Sequence, residues 1–431
     1  MPIKLLTIIL TSIAKSYLKI YKPRIIAITG NVGKTSTKNA INVVLQKKYI
    51  VRSSGGNLNN ELGVPLTILG DYAENYYSQG GTILFWAKVI FKGVLGILIP
   101  QKYPKFLILE YGADRPGDIE KLANNFKPNI AVVTAVGAIP VHVEFFDNPE
   151  ALALEKSKLL KFLNADDHAI LNADDHQVLE MQNKTIAKVT TFGFNEKSQV
   201  RVSDFVIALD DESKPIGVGF KLNHNDSFVP VRLYNSLGQS QALAASAAAA
   251  VANVLGINLV ETGMALEKYH GPAGRLRILK GIKNSLIIDD TYNSSPASAA
   301  LALETLKYLP AKRKIAVLGD MLELGKYSEE AHTKIGRLAG EICQVLVCVG
   351  DKSKLTSDSA LGGINKENIY NFETSEDAKE KILEFIQSGD VILVKGSQGM
   401  RMEKIVEVIM AEPERKKELL VRQSAKWLTR V

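Results

Sequence analysis

The stretch IIAITGNVGKTSTKNAI, Ile25 to Ile41, constrains the fold more than any other part of the chain. An apolar run ends in a short polar turn with two glycines, and a Lys-Thr pair then opens a segment of helical periodicity. Strand, tight loop and helix start, in that order, make a phosphate-binding loop. The glycines let the backbone close on an anion, and the N–H groups of the helix start point at it. The usual loop carries a further glycine five residues before the glycine of Gly-Lys-Ser/Thr. That position is Ile28, and the first glycine is Gly30, so the loop is shortened. Lys34 is expected to reach the β- and γ-phosphates of a nucleotide, and the Thr35 hydroxyl to bind Mg²⁺. Gly30, Asn31, Gly33 and Ser36 complete the expected nucleotide contacts.

The chain has 431 residues, too many for one ordinary core. From Ile25 onward strands and helices alternate. RIIAIT, FLILEYG and NIAVVTAVG are continuous apolar runs, as buried parallel strands should be. KTSTKNAINVVLQKK, ALALEKSKLLKFL and QALAASAAAAVANVLGI read as helices, the last ended by Gly256. The expected fold is α/β, a doubly wound, mainly parallel sheet that binds ligands at the carboxyl ends of its strands. A break falls at KYHGPAGRLR. Beyond it NSLIIDD, KIAVLGD, VLVCVG and DVILVKG restart the rhythm as a smaller Rossmann-like α/β unit. The expected boundaries are a helix over 1–24, a central domain over 25–272 with an apolar insertion at 80–105, and a C-terminal domain over 276–431.

Two segments sit outside this rhythm. Residues up to Arg24 carry Lys4, Lys15, Lys19, Lys22 and Arg24 and no acid. They look like a weak secretion signal, yet run almost directly into the phosphate-loop strand. A retained amphipathic helix, packed on the domain or lying on a membrane, is expected. Gly80 to Lys105 is apolar over roughly twenty residues, broken by Lys88 and Lys92 on one helical face. An interfacial or groove-lining helix fits better than a span, and a partly buried surface helix is the plainer alternative. Lys and Arg exceed Asp and Glu by 53 to 46. The basic tail, ERKKELLVRQSAKWLTR, reads as solvated helix faces. No nucleic-acid partner is expected. Cys343 and Cys348 read as small apolar fillers, which suits a reduced, cytoplasmic compartment.

Other chemical candidates lie at strand ends. Glu110 closes FLILE, where a carboxylate faces the ligand crevice and suits Mg²⁺; a helix-capping role is the alternative. His142 follows the next strand, and Lys156 lies on the helix after it. GNLNNELGVPLTIL, Gly56 to Leu69, is an asparagine-rich loop before an apolar run.

This set, with GPAGRL, DDTYNSSPAS, VLGDMLELG and ILVKGSQGMRM in the same order, resembles the Mur ligases. The likeness runs from about Ile25 to Met410 and is nearest to the branch that adds D-alanyl-D-alanine to a UDP-linked muramoyl tripeptide in peptidoglycan synthesis. The shortened Gly-x-x-Gly-Lys-Thr loop is that family's form. The resemblance implies an ADP-forming amide ligase that uses ATP and Mg²⁺. It implies that Lys34, Glu110, His142 and Lys156 are catalytic, and that Thr35, Glu110, His142 and a carbamylated Lys156 support the metal. It implies nucleotide contacts from Gln241, Arg275 and Asp290, and substrate contacts from Asn57, Asn59, Asn60, Tyr292, Asn293, Lys395 and Ser397.

The likeness has departures. The family carries a sugar-nucleotide domain before the loop, whereas 24 residues precede Ile25 here. With the two apolar segments, this suggests a lipid-linked or membrane-proximal substrate at the inner face of the membrane, or a partner subunit. Gln241 stands where an Asn is expected, and Gln398 stands for the Arg of KGSR, removing a bidentate carboxylate grip. Two further readings stay open: a ligase for another substrate, as in folylpolyglutamate synthases, and a nucleotide-binding subunit of a membrane complex. DDTYNSSP argues against the first, and the complete set of metal and phosphate residues against the second.

Overall fold

The computed structural model describes residues 3–56 and 58–428. The chain opens with helix α1 (Ile3–Tyr21) and enters β1 (Arg24–Thr29), buried from Ile25 on. The loop follows, then α2 (Lys34–Leu45) and the short β2 (Val51–Ser53). Three helices come next: α3 (Gly63–Leu69), α4 (Ala73–Gln79) and α5 (Ile83–Leu98). Strand β3 (Phe106–Glu110), α6 (Asp118–Asn125), β4 (Ile130–Val133), α7 (Pro149–Ser157) and β5 (His168–Asn172) complete the first wind. The helix read over ALALEKSKLLKFL tightens after Ser157 into a 3₁₀ turn, Lys158–Phe162.

Strand β6 (Lys188–Gly193) then leads into β7 (Val200–Leu209), β8 (Pro215–His224) and β9 (Ser227–Tyr234). The nine strands run in the order β2-β3-β1-β4-β5-β6-β7-β8-β9. Neighbours are parallel as far as β7, and β7, β8 and β9 pair antiparallel. Strands β1, β3 and β4 are buried along nearly their whole length because helices cover both faces, which is why they are apolar without alternation. Strand β1 lies between β3 and β4. The chain leaves it toward one side of the sheet and returns on the other, and that switch point opens a crevice at the carboxyl end of β1.

Helices α8 (His176–Glu180), α9 (Gln239–Val254) and α10 (Leu259–Leu266) finish this unit. The alanines of α9 are buried, and such small side chains let the helix lie close against α2 and the sheet. Gly256 ends this segment with φ +73°.

The second sheet has the order β10-β11-β15-β12-β13-β14. Its strands are β10 (Arg277–Lys280), β11 (Leu286–Asp290), β12 (Lys314–Gly319), β13 (Val345–Val349), β14 (Ile369–Phe372) and β15 (Val391–Lys395). Only β10 runs antiparallel to its neighbour. Cys343 and Cys348 are free and buried, as expected of fillers.

Helices α1 and α5 pack together on the outside of the first unit. A Cβ at Gly96 would lie 1.9 Å from Tyr17 Oη, so only glycine allows this approach. Tyr21 Oη donates to the Gly96 carbonyl at 2.6 Å, and Tyr21 stacks on Tyr103. Among the described residues no helix is long and apolar enough to cross a membrane.

Candidate active site

The phosphate loop is built by close approach. Gly30 has φ +139°, and a Cβ there would lie 2.0 Å from Thr134 Oγ1. Asn31 N–H donates to the Ala135 carbonyl at 2.6 Å, which ties the loop to the end of β4. Gly33, at φ +91°, turns the chain into α2. Lys34 Nζ folds over the loop and donates to the Gly30 carbonyl at 2.9 Å. Burial lowers its pKa, Glu110 opposes that shift, and Arg275 adds to it.

Glu110 is 2% exposed at the end of β3, in register with Ile28. Burial raises its pKa, but Lys38 and then Lys34 outweigh that and hold it below the ordinary carboxylate range. Lys38 Nζ lies 2.9 Å from Glu110 Oε1 and donates to the Ser54 carbonyl at 2.6 Å. Sequence reasoning passed over Lys38, which looks like any lysine on a helix one turn beyond Lys34.

His142 has φ +71° and sits between two carboxylates. Its Nδ1 is 2.7 Å from Glu323 Oε2 and its Nε2 is 3.4 Å from Asp114 Oδ1. Glu323 follows β12, so this contact joins the two units. Lys156 is 2% exposed on α7, and its side chain makes no hydrogen bond or ion pair with the described residues. Its pKa is lowered to about 7, first by burial and next by the Lys34 charge, with Asp114 and Glu155 opposing. Burial thus favours the neutral amine, the form that adds to CO₂.

Of these groups, Lys34, Glu110, His142, Asp114 and Glu323 line a polar cleft of about 620 Å³ between the carboxyl ends of the two sheets. The first unit contributes Asn31, Lys34, Thr35, Asn59, Asn60, Glu110 and His142 to its walls, and the second contributes Arg275, Tyr292, Asn293, Ser397 and Gln398. The Arg275 guanidinium lies over the Tyr292 ring, 3.9 Å from its centroid. Asn60 Oδ1 caps α3 by accepting from Gly63 N–H at 2.9 Å. Ser397 Oγ accepts from Leu322 N–H at 2.8 Å.

Five expected side chains lie elsewhere, and Asn57 lies outside the described residues. Lys156 does not line the cleft. Asp290 and Lys395 do not line it either: they pair with each other at 2.6 Å, both buried, at facing positions of β11 and β15. Lys395 Nζ also donates to the Asn293 carbonyl at 2.9 Å, so the pair supports the cleft-lining Asn293 from behind. Gln241 is 1% exposed, with both ends of its amide used inside the protein. Its Nε2 donates to the Arg275 carbonyl at 2.9 Å, and its Oε1 accepts from Tyr269 Oη at 2.7 Å. It holds the segment that carries Arg275. Ser36 is buried behind the loop, bonded to Tyr269. The guanidinium thought lost at Gln398 has a neighbour three residues on: Arg401 lines the same cleft, held by Glu403 at 2.7 Å.

Among the described residues, no three His, Cys, Asp or Glu side chains converge into a preformed cation cage. Mg²⁺ at phosphate sites needs only one or two protein ligands and completes its shell with phosphate oxygens and water. Glu110, a buried carboxylate at the cleft wall paired on Oε1 with Lys38, and the Thr35 hydroxyl lining the same cavity fit that demand.

A phosphate loop at the switch point of one parallel sheet faces the strand ends of a second sheet across a polar cleft. This defines a two-unit phosphate-loop protein, built to bring a nucleotide and another ligand together. Comparison with known proteins gives the family. The Mur ligase middle domain matches residues 98–252, and the glutamate ligase domain of the Mur ligases matches 274–398. The chain belongs to the Mur ligase family. It is 28% identical over 408 residues to UDP-N-acetylmuramoyl-tripeptide–D-alanyl-D-alanine ligase of Bacillus subtilis, covering 94% of this chain and 79% of that one. It is 29% identical to the enzyme of that name from Rickettsia prowazekii, covering 90% and 78%. The crystal structure of MurF ligase from Thermotoga maritima in complex with ADP superposes with a TM-score of 0.76 at 25% identity, covering 95% of this chain and 84% of that one.

Proposed function

We propose that this protein is an ATP-dependent amide ligase that joins D-alanyl-D-alanine to the terminal carboxylate of a muramoyl tripeptide in peptidoglycan synthesis. The observation that carries the reading is the convergence of Lys34, Thr35 and Glu110 with Arg275, Tyr292 and Asn293 on one cleft between two units. The names of the relatives supply the substrates. Residues 25–272 are read as the ATP-binding domain and 276–431 as the domain that presents the amine.

A carboxylate is a poor electrophile. In the proposed reaction its oxygen attacks the γ-phosphorus of ATP, the bond to the β-phosphate oxygen breaks, and ADP leaves with an acyl phosphate formed. The amine of D-alanyl-D-alanine then attacks the acyl carbon, loses a proton and expels inorganic phosphate. Lys34 and Arg275 bring positive charge from opposite walls to where phosphate charge develops. His142 and Glu323 hold the two units together at the cleft, keeping water from the acyl phosphate. Thr35 and Glu110 are the residues that would hold Mg²⁺, with His142 and carbamylated Lys156 supporting a second ion; bound, the metal neutralises phosphate charge. The place of action is the cytoplasm, at the inner face of the membrane.

The test is isotopic. With ¹⁸O in the tripeptide carboxylate, an acyl phosphate carries one labelled oxygen into the released phosphate, detectable by mass. Unlabelled phosphate released alongside the amide product would exclude the acyl phosphate.

A further inference from the structure

We propose that α1 and α5 form a docking face for an anionic lipid bilayer, and that this face turns the mouth of the cleft toward the bilayer. Helix α5 buries one stripe, Phe85, Val89, Gly93 and Gly96, against the protein. Its opposite side is also apolar. Ile83 is 82% exposed, Leu84 80%, Phe91 69% and Leu98 71%. Helix α1 adds Ile3 and Ile8, at 71% and 65%. A surface helix of a monomer normally turns polar groups outward, and a contiguous apolar patch marks a site of association.

Charge selects the partner. Residues 3–22 contain Lys4, Lys15, Lys19 and Lys22, and residues 80–105 contain Lys88, Lys92, Lys102 and Lys105; neither segment has an Asp or Glu. Lys88 and Lys92 are exposed one turn apart, along the edge of the outward apolar side of α5. Lysine is depleted from the cores of protein interfaces. At a membrane its stem lies along the acyl chains while the ammonium reaches anionic headgroups. No described helix can span, so the fit is a pair of helices lying in the interface.

The same helices border the site. Ile3 and Thr7 of α1 line a groove of about 360 Å³ that shares Asn59, Asn60 and Asp114 with the cleft. Trp86 of α5 lines another, of about 230 Å³, that shares Asn60, Gln398 and Trp427 with it. The first turns of both helices therefore flank the cleft mouth at Asn60. Both tryptophans of the chain lie on this side, and tryptophan favours the headgroup level. The binding does not depend on which ligation the cleft performs.

The experiment measures sedimentation of the full chain with phosphatidylcholine vesicles, with and without phosphatidylglycerol. Binding is expected only with phosphatidylglycerol, and it should weaken as salt rises. The variant I83E/L84E/F91E/L98E should bind at least tenfold more weakly. K88Q/K92Q should lose about fivefold per lysine. Both should keep the native melting temperature, because the side chains are exposed. A second readout needs no change in α5. In W427F the remaining Trp86 emission should be quenched by brominated phosphatidylglycerol vesicles. Absence of that quenching, or equal sedimentation of native and α5 variants, would overturn the proposal. So would a dimer in light scattering that the α5 changes convert to monomer without altering vesicle binding.

Discussion

Replacing Lys395 with methionine tests whether a buried ion pair holds the C-terminal wall of the cleft. Lys395 Nζ and Asp290 Oδ2 are 2.6 Å apart, with side chains 2% and 9% exposed. Removing one partner strands the other charge, at a cost of about 3–5 kcal/mol. If the C-terminal unit of roughly 150 residues unfolds as one step, its unfolding entropy is about 0.3 kcal/mol/K, so its melting temperature should fall by about 10–16 °C. The double variant D290N/K395M leaves no buried charge and should recover most of that loss. The deficit of K395M should also depend on pH. Burial already raises the Asp290 pKa, while Lys395 pulls it down. Without Lys395 the folded-state pKa rises further above the unfolded value. A carboxyl raised in the folded state favours folding at low pH and loses that contribution as pH rises through its folded pKa. The deficit should therefore be larger at pH 8 than at pH 5. Differential scanning calorimetry reads all three quantities. A fall below about 3 °C, or a double variant no better than the single, would show that the pair does not hold this wall.

Gly30→Ala should abolish nucleotide binding in equilibrium titration while the fold persists, because its Cβ meets Thr134 Oγ1 at 2.0 Å and the loop must move. Lys156→Ala should lower ligase turnover by at least about a hundredfold, since it removes the amine that would carry the carbamate; short carboxylates should restore part of it, measured as phosphate release. Asp289 is pushed up to about 6 by burial. Its ionisation therefore costs stability as pH rises from its ordinary range through 6, by about 3 kcal/mol at most, and Asp289→Asn should flatten that part of a melting-temperature profile.

The strands that carry the site are legible in the sequence because both their faces are covered. FLILE and NIAVV need no partner to look buried, and the shortened loop announces the helix start. The antiparallel strands β7 to β9 are less visible. Strand β7 alternates apolar and polar residues only at its start, Val200 to Ser203, and its later apolar run from Phe205 is of mixed burial and follows Asp204. That alternation was the available signal. The residues in and behind the cleft divide similarly. Lys34, Thr35 and Glu110 follow from their places at strand ends and helix starts. Lys38 and the Asp290–Lys395 pair do not, because their partners are set by sheet register and by packing across tens of residues. Gln241 reads as a ligand contact in one dimension and serves as a clamp on Arg275 in three.

Ligation at the cleft is read most directly as phosphate release from ATP by the full chain. It is measured with UDP-linked muramoyl tripeptide and D-alanyl-D-alanine, together and singly. Sustained release is expected only when both are present, matched by formation of the amide product. Release that ignores both substrates, or no release with both, would contradict it.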